Sequence, residues 1–177
     1  MFETAVFKQS VRVMPKLLKG KTKQAVADAL KEMEGQISRD SGMLLLVTDV
    51  KEVGEGRIIP GDGAVYFDAS YEALVFSPKL HEVVDGEITD IVEFGAFVRI
   101  GPMDGLIHIS QVMDDYVSYS KEGVLQGKQS KHSLKVGDKV RARIISISYK
   151  AEPAKLGLTM RQPGLGKWEW LHEEKQE

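Results

Sequence analysis

The sequence predicts an α+β chain in two parts: a small open β-sheet carrying one helix, then a five-stranded closed barrel. Three observations carry that expectation. Only one segment before Ser77-Pro78 has helical apolar spacing, and strand-like segments flank it. After Ser77-Pro78 the apolar runs are short and separated by glycine corners. Two of those runs alternate strictly, which is the period of a half-buried strand.

The elements follow in order. Phe2–Val13 reads as a strand with Val6, Val11 and Val13 among polar neighbours, and Pro15 interrupts it. Residues 22–34 read as a helix: Thr22 is placed as N-cap, Gly35 as the stop, and Ala25, Val26, Ala29, Leu30 and Met33 form one apolar stripe. Residues 44–53 read as a strand buried on both faces, because Leu44, Leu45, Leu46 and Val47 run without alternation. Val65–Phe76 reads as a strand with a bulge near Asp68. A sheet this small has a modest core and open edges, and calls for a partner surface.

Between the last two strands lies Val53-Gly54-Glu55-Gly56-Arg57-Ile58-Ile59-Pro60-Gly61-Asp62-Gly63-Ala64. Its glycines and proline predict a shaped loop. Gly54 and Gly56 resemble part of a dinucleotide fingerprint, but no helix follows to supply an N-terminus for phosphate, so nucleotide binding is rejected. Ile58 and Ile59, framed by glycines, read as an apolar docking tip made of Gly56, Ile58, Ile59, Pro60, Gly61, Asp62 and Gly63.

In the second half, strands are expected at 83–92 and 95–100, then Gly105-Leu106-Ile107-His108, Lys139–Ser148 and 156–160. Gly86 and Gly95 permit tight coiling, and Val136-Gly137-Asp138 marks the turn into the fourth strand. Parity puts Ala96, Val98 and Ile100 in the core and turns Phe97 and Arg99 outward. An outward Phe beside an Arg is costly unless something covers it, and a stacked base would. Phe94 and His108 extend that aromatic platform.

Composition sets the outer limits. Hydrophobic residues are 42% and charged residues 28% of the chain, as in ordinary globular proteins. No apolar run approaches the roughly 20 residues of a membrane helix, and no basic-then-apolar leader opens the chain. Cysteine is absent, which fits a reducing, cytoplasmic setting. The net charge of −2 argues against a bulk cationic nucleic-acid binder. Locally the balance reverses: Glu82, Asp85, Glu87, Asp90, Glu93, Asp104, Asp114 and Asp115 crowd one stretch, while Lys121, Lys128, Lys131, Lys135, Lys139, Arg141, Arg143, Lys150, Lys155, Arg161 and Lys167 crowd the next. A basic face is the expectation, with an ordinary mixed surface as its alternative. His81, His108, His132 and His172 never fall in a metal-binding spacing, and no thiol nucleophile exists. No catalytic residue, metal or cofactor is expected.

The blocks Glu93-Phe94-Gly95-Ala96-Phe97-Val98, Asp104-Gly105-Leu106-Ile107-His108-Ile109-Ser110 and Val136-Gly137-Asp138-Lys139-Val140 closely resemble the OB-fold RNA-binding repeat of the largest small-subunit ribosomal protein. That resemblance implies an RNA face at Phe94, Phe97 and His108. It also implies an Asp and an Arg from the last hairpin, where this chain has Ser148 and Lys155. With the outward cations, the RNA-binding set is Phe94, Phe97, Arg99, His108, Lys139, Arg141, Arg143 and Lys155. Residues 116–131 are an insertion relative to that repeat and read as an extended excursion from the barrel.

Taken with Ile58-Ile59-Pro60-Gly61-Asp62-Gly63-Ala64, Ala73-Leu74-Val75-Phe76 and Thr159-Met160-Arg161-Gln162-Pro163-Gly164-Leu165-Gly166, the whole chain resembles the E-prime family of archaeal RNA polymerase stalk subunits, counterparts of the seventh subunit of eukaryotic RNA polymerase II. The resemblance implies a truncated ribonucleoprotein-like domain at residues 1–79 that docks on the polymerase core through its glycine-rich tip. It implies an RNA-binding OB-fold at 80–168, with a polar tail at 169–177. It further implies a heterodimer with a small helical subunit called F, and contact with nascent single-stranded RNA. Other RNA-binding accessories, such as an exosome cap subunit or a translation factor, remain the alternative, as does a bridge that never touches RNA.

Overall fold

The computed structural model describes residues 1–149 and 154–173. Internal contacts divide it into Met1–Ser77 and Pro78–Glu177. Lys150, counted above among the basic residues, lies outside the described residues.

In the first unit, β1 (Phe2–Val13), β2 (Gly42–Ile58) and β3 (Val65–Phe76) form an antiparallel sheet in the order β1-β3-β2, with Ile37–Ser38 on the edge of β2. Helix α1 (Thr22–Lys31) covers one face. It buries Ala25, Val26, Ala29 and Leu30 against Val11, Val13, Phe67, Ala69, Tyr71, Ala73 and Val75. Met33 packs at the margin of that core. Truncating Leu30, which is fully buried, would cost about 2–5 kcal/mol.

Two local expectations are corrected here. Lys21, not Thr22, is the N-cap and offers no side-chain bond; the helix starts on backbone bonds to the Lys21 carbonyl from Gln24 (2.9 Å) and Ala25 (3.1 Å). The helix also ends at Lys31, earlier than residue 34. Gly35 follows in a left-handed conformation (φ 88°) and donates its N–H to the Leu44 carbonyl at 2.7 Å, a turn that leads back toward the sheet.

The strand β2 is not buried on both faces. Register shifts fall between Leu44 and Leu46, Val47 and Asp49, Val50 and Glu52, and Val53 and Gly56, while β3 runs evenly opposite them. Each bulge adds a residue to β2, so its inward positions recur every third residue: Leu44, Val47, Val50 and Val53 reach the core, whereas Leu46 is exposed. The bulges therefore sit on β2, the last of them opposite Asp68, and β3 itself alternates cleanly through Phe67, Ala69, Tyr71, Ala73 and Val75. The strand also continues through Gly54 and Gly56 to Ile58, leaving only residues 59–64 as a hairpin tip. Gly56 is a strand residue. A Cβ there would lie 2.8 Å from the Phe67 ring and 2.9 Å from Val65.

The second unit is a closed barrel. Its strands are β4 (Val83–Val92), β5 (Gly95–Ile100), β6 (Met103–His108), β7 (Lys139–Ser148) and β8 (Lys155–Thr159). Antiparallel pairs join β7 to β4, β4 to β5, β5 to β6 and β7 to β8, and a parallel pairing of β8 with β6 closes the cylinder. Val84, Ile88, Ala96, Val98, Ile100, Ile107, Val140, Ala142, Ile144, Leu156 and Leu158 fill it. Closure brings backbones into contact: a Cβ on Gly95 would overlap the Ile107 carbonyl, and one on Gly86 would lie 2.7 Å from the Arg99 carbonyl.

The excursion expected at residues 116–131 carries strands of its own. Val117–Ser120, Val124–Gly127 and Ser133–Leu134 form a three-stranded antiparallel sheet, and Leu125 and Leu134 are fully buried. Asp115 fastens its base, accepting from the Gln129 N–H (2.8 Å), the Ser130 N–H (3.0 Å) and the Ser130 hydroxyl (3.1 Å). Backbone donors at Ser130 and Gln129 hold its carboxyl below the usual range, against a smaller opposing effect of burial.

The expected polar tail is corrected as well. Trp168–Glu173 form helix α2, and Trp170 is buried, stacked on His132 at 4.8 Å with ring planes 9° apart. Before the helix, Lys167 pairs with Asp138 at 3.1 Å, both side chains under a tenth exposed (7% and 9%), and with Glu169 at 2.7 Å. Burial works against the Lys167 charge, but the hydrogen bonds it donates to Glu169 and Asp138 outweigh that and hold the ammonium above its usual range. A raised lysine value stabilises fully below the unfolded value and is lost as pH rises through the folded one. The anchor of α2 should therefore hold from neutral pH to about 10.4 and loosen only above it, read by Trp fluorescence. Asp138→Ala should cost about 3 kcal/mol of barrel stability in a denaturant titration, because it removes the buried partner of Lys167 and leaves only the exposed Glu169.

Candidate nucleic-acid interface

The side chains that could meet a nucleic acid are set by parity on the barrel's outer face. Ala96, Val98 and Ile100 point inward, so Phe97 and Arg99 of the same strand point outward. Phe94, in the turn between β4 and β5, is 52% exposed. Its ring meets that of Phe97 edge to face, centroids 6.3 Å apart at 84°. The Phe94 carbonyl accepts the Ile109 N–H at 2.9 Å, tying this turn to the end of β6, where His108 pairs with Gly95. His108 caps the following turn: its Nδ1 accepts from the Ser110 N–H (3.3 Å) and lies 2.9 Å from the Ser110 hydroxyl. In the neutral ring that leaves the proton on Nε2, as a donor for a ligand. Phe94, Phe97 and His108 thus lie together.

The row through Phe97 runs around the barrel in register: Asp90 on β4, Phe97 on β5, Leu106 on β6, Gly157 on β8 and Ser146 on β7. Of these, only Phe97 belongs to the set expected from sequence. The parity that turned Phe97 outward could have found Leu106, because Gly105 and Ile107 beside it face the core.

The cations do not form one basic face. A second row reads Asp104, Arg99, Glu87 and Lys139 across β6, β5, β4 and β7, so charges alternate from strand to strand. Arg99 lies 3.6 Å from Asp104. Arg141 binds Asp85 at 2.9 Å and lies over the Trp168 ring at 4.8 Å. Hydrogen bonding to Asp85 holds its guanidinium further above the ordinary range. Arg143 donates to the Gln162 amide oxygen at 2.7 Å, Arg161 pairs with Asp114, and Lys167 is buried with Asp138. Arg141 and Arg161 of the basic stretch thus pair with Asp85 and Asp114 of the acidic one, and Lys139 stands opposite Glu87. Lys155, opposite Ser148 at the start of β8, is exposed and makes no ion pair among the described residues.

In the first unit the tip exposes Ile58 (75%) and Ile59 (48%). Asp62 faces into the hairpin. Its carboxylate accepts from Arg12 at 2.7 and 3.0 Å, from the Tyr66 hydroxyl at 2.5 Å and from the Ala64 N–H at 3.1 Å. Those bonds, from Arg12 first and Tyr66 second, hold the Asp62 carboxyl well below the usual range. Asp62 shapes the tip, while the isoleucines are what it presents. Among the described residues no group of His, Asp and Glu could hold a metal ion, and no helix is long and apolar enough to cross a membrane.

Residues 77–158 match the family model of the S1 RNA binding domain, and residues 8–63 match that of the SHS2 domain found in the N terminus of Rpb7p and Rpc25p. The chain is 39% identical to the DNA-directed RNA polymerase subunit Rpo7 of Sulfolobus acidocaldarius, over 98% of this chain and 97% of that protein. It is 40% identical to Rpo7 of Saccharolobus solfataricus, over 85% and 86%. Similarity extends to the DNA-directed RNA polymerase II subunit RPB7 of Saccharomyces cerevisiae, at 29% identity over 65% and 68%.

Glu87 stands in register between Arg99 and Lys139, so Glu87→Gln should remove a negative charge between two cations and make them more attractive to phosphates. Single-stranded RNA binding should then tighten and its log–log salt slope steepen by roughly 0.7 per phosphate gained. An unchanged slope in fluorescence anisotropy would keep both cations out of the interface.

Proposed function

The chain belongs to the Rpo7 family of DNA-directed RNA polymerase subunits, and on that premise we propose that it is a non-catalytic stalk subunit that holds nascent single-stranded RNA. In this reading the first unit docks on the polymerase core and pairs with a small helical polymerase subunit, in the cytoplasm. The second unit takes unpaired bases onto Phe94, Phe97 and His108 as transcript emerges. The observation that carries the reading is the outward aromatic group on a barrel whose interior is already full. Phe94 and Phe97 are not needed for the core, and leaving them in water is unfavourable unless a partner covers them.

Base stacking on aromatic side chains is worth about 1–3 kcal/mol per base and accepts any base. The neutralised outer cations leave little long-range attraction, so stacking carries a larger share of the affinity than in a cationic binder. The apolar tip supports the docking half: Ile58 and Ile59 project from a hairpin that Arg12, Asp62 and Tyr66 hold in shape. A rigid hairpin loses less entropy on docking than a loose loop.

Phe97→Ala should weaken single-stranded RNA binding by about 1–3 kcal/mol with the circular dichroism spectrum unchanged; unaltered affinity would remove Phe97 from the platform. Replacing Ile58 and Ile59 with Ser should reduce incorporation into reconstituted polymerase while RNA titration of the free chain stays at the wild-type value. Normal incorporation would reject the tip as the docking element.

A further inference from the structure

The Phe97 row ends in a pair of residues that the aromatic platform does not account for. Ile144 and Leu158 are both inside the barrel and pair with each other; the next pair along the hairpin is Ser146 with Gly157. A bulge adds Ile145 to β7 at that point. Without the extra residue Ser146 would keep the parity of Ile144 and point into the core. With it, Ser146 lies on the exposed outer face.

Gly157 is fitted to that hydroxyl. A Cβ on Gly157 would overlap the Ser146 Oγ, so the hydroxyl occupies the space that a side chain at 157 would take. One step further along the hairpin, Ser148 pairs with Lys155, both exposed. Neither Ser146 nor Ser148 makes a side-chain hydrogen bond among the described residues. Hairpin and platform are adjacent: Gly157 pairs with Leu106, and Leu106 pairs with Phe97. Two interstrand spacings, about 10 Å, separate Gly157 from the ring.

Chemistry and charge together choose the part of a nucleotide that fits there. Between Ile144 and Ser148 and between Lys155 and Leu158, the hairpin's outer face offers hydroxyls, a bare glycine backbone and a cation, with no aromatic ring among these described residues to stack a base. On the other side of Phe97 stands Asp90, which repels phosphate. A strand whose base lies on Phe97 therefore runs its sugar–phosphate chain toward β8 and β7, away from β4. A serine hydroxyl both donates and accepts, as does the ribose 2′-hydroxyl that separates RNA from DNA.

We propose that Ser146, set outward by the bulge and seated over Gly157, is a ribose-reading residue that takes the 2′-hydroxyl of the nucleotide next to the one stacked on Phe97. The barrel then selects RNA over DNA at this point while remaining indifferent to base. This rests on the barrel binding single-stranded RNA, as set out above.

The test titrates the full-length protein with a labelled oligouridylate and the matching oligodeoxyuridylate, which differ only at the 2′ position. Wild type should prefer the RNA. Ser146→Ala should lose about 2–10-fold in RNA affinity, leave DNA affinity unchanged and so collapse the preference. Gly157→Val, which obstructs the floor, should weaken both oligomers, with circular dichroism checking the fold. If Ser146→Ala leaves the RNA-to-DNA ratio at the wild-type value while Phe97→Ala lowers RNA affinity, the ribose assignment is wrong and the platform stands. If wild type binds neither oligomer, the platform reading fails and the ribose assignment fails with it.

Discussion

Closure of the barrel is the constraint from which the second unit follows. β8 must pair with β7 on one side and β6 on the other, and a cylinder of five short strands has room for one layer of side chains. Every alternate residue is then committed to the interior, and the residues between are committed to the outside. Phe97 faces out because Ala96 and Val98 have no alternative. The tight spots of the structure mark the same constraint: Gly95 lies against the Ile107 carbonyl, and Gly86 against Val98 and the Arg99 carbonyl.

That constraint explains what could be read from the sequence. Strict alternation in residues 95–100 and in the first half of Lys139–Ser148 fixes strand identity and face together, so the outward placement of Phe97 is legible from parity alone. Bulges defeat the same logic. On β2 four register shifts convert a period of two into a period of three, and Leu44 to Val47 then look like a run buried on both faces. On β7 one extra residue moves Ser146 from core to surface, and no local signal in Ile144-Ile145-Ser146 announces it. A helix cap is similarly underdetermined: Thr22 has the right chemistry, yet the chain enters the helix one residue earlier and spends Thr22 inside it.

Charge was the least legible property, for a related reason. Counting along the chain separates an acidic stretch from a basic one, but antiparallel pairing folds the first onto the second. Lys139 meets Glu87, Glu87 meets Arg99, Arg99 meets Asp104, and Arg141 meets Asp85. Exposed pairs of this kind add little stability each, about 0–1 kcal/mol. Their larger effect is on the field: the outer face is close to neutral over much of its width. The C-terminal segment belongs to the same pattern, because Trp168 covers Arg141 and Lys167 is withdrawn into contact with Asp138.

In the proposed reading, a near-neutral face with an aromatic patch suits a surface that holds a strand as it moves. Strong phosphate contacts would bind RNA tightly wherever it touched, and each further contact would add to the cost of release. Stacking instead acts one base at a time, over short range, and exchanges one base for the next without regard to identity. The acidic neighbours Asp90 and Glu87 then do more than cancel charge. On the proposed binding they would repel the sugar–phosphate chain from the β4 side of Phe97 and leave the β8 side, with Lys155 and the hydroxyls of β7, as the open direction. In the proposed reading, the path of a bound strand depends on where negative charge is placed as much as on where positive charge remains.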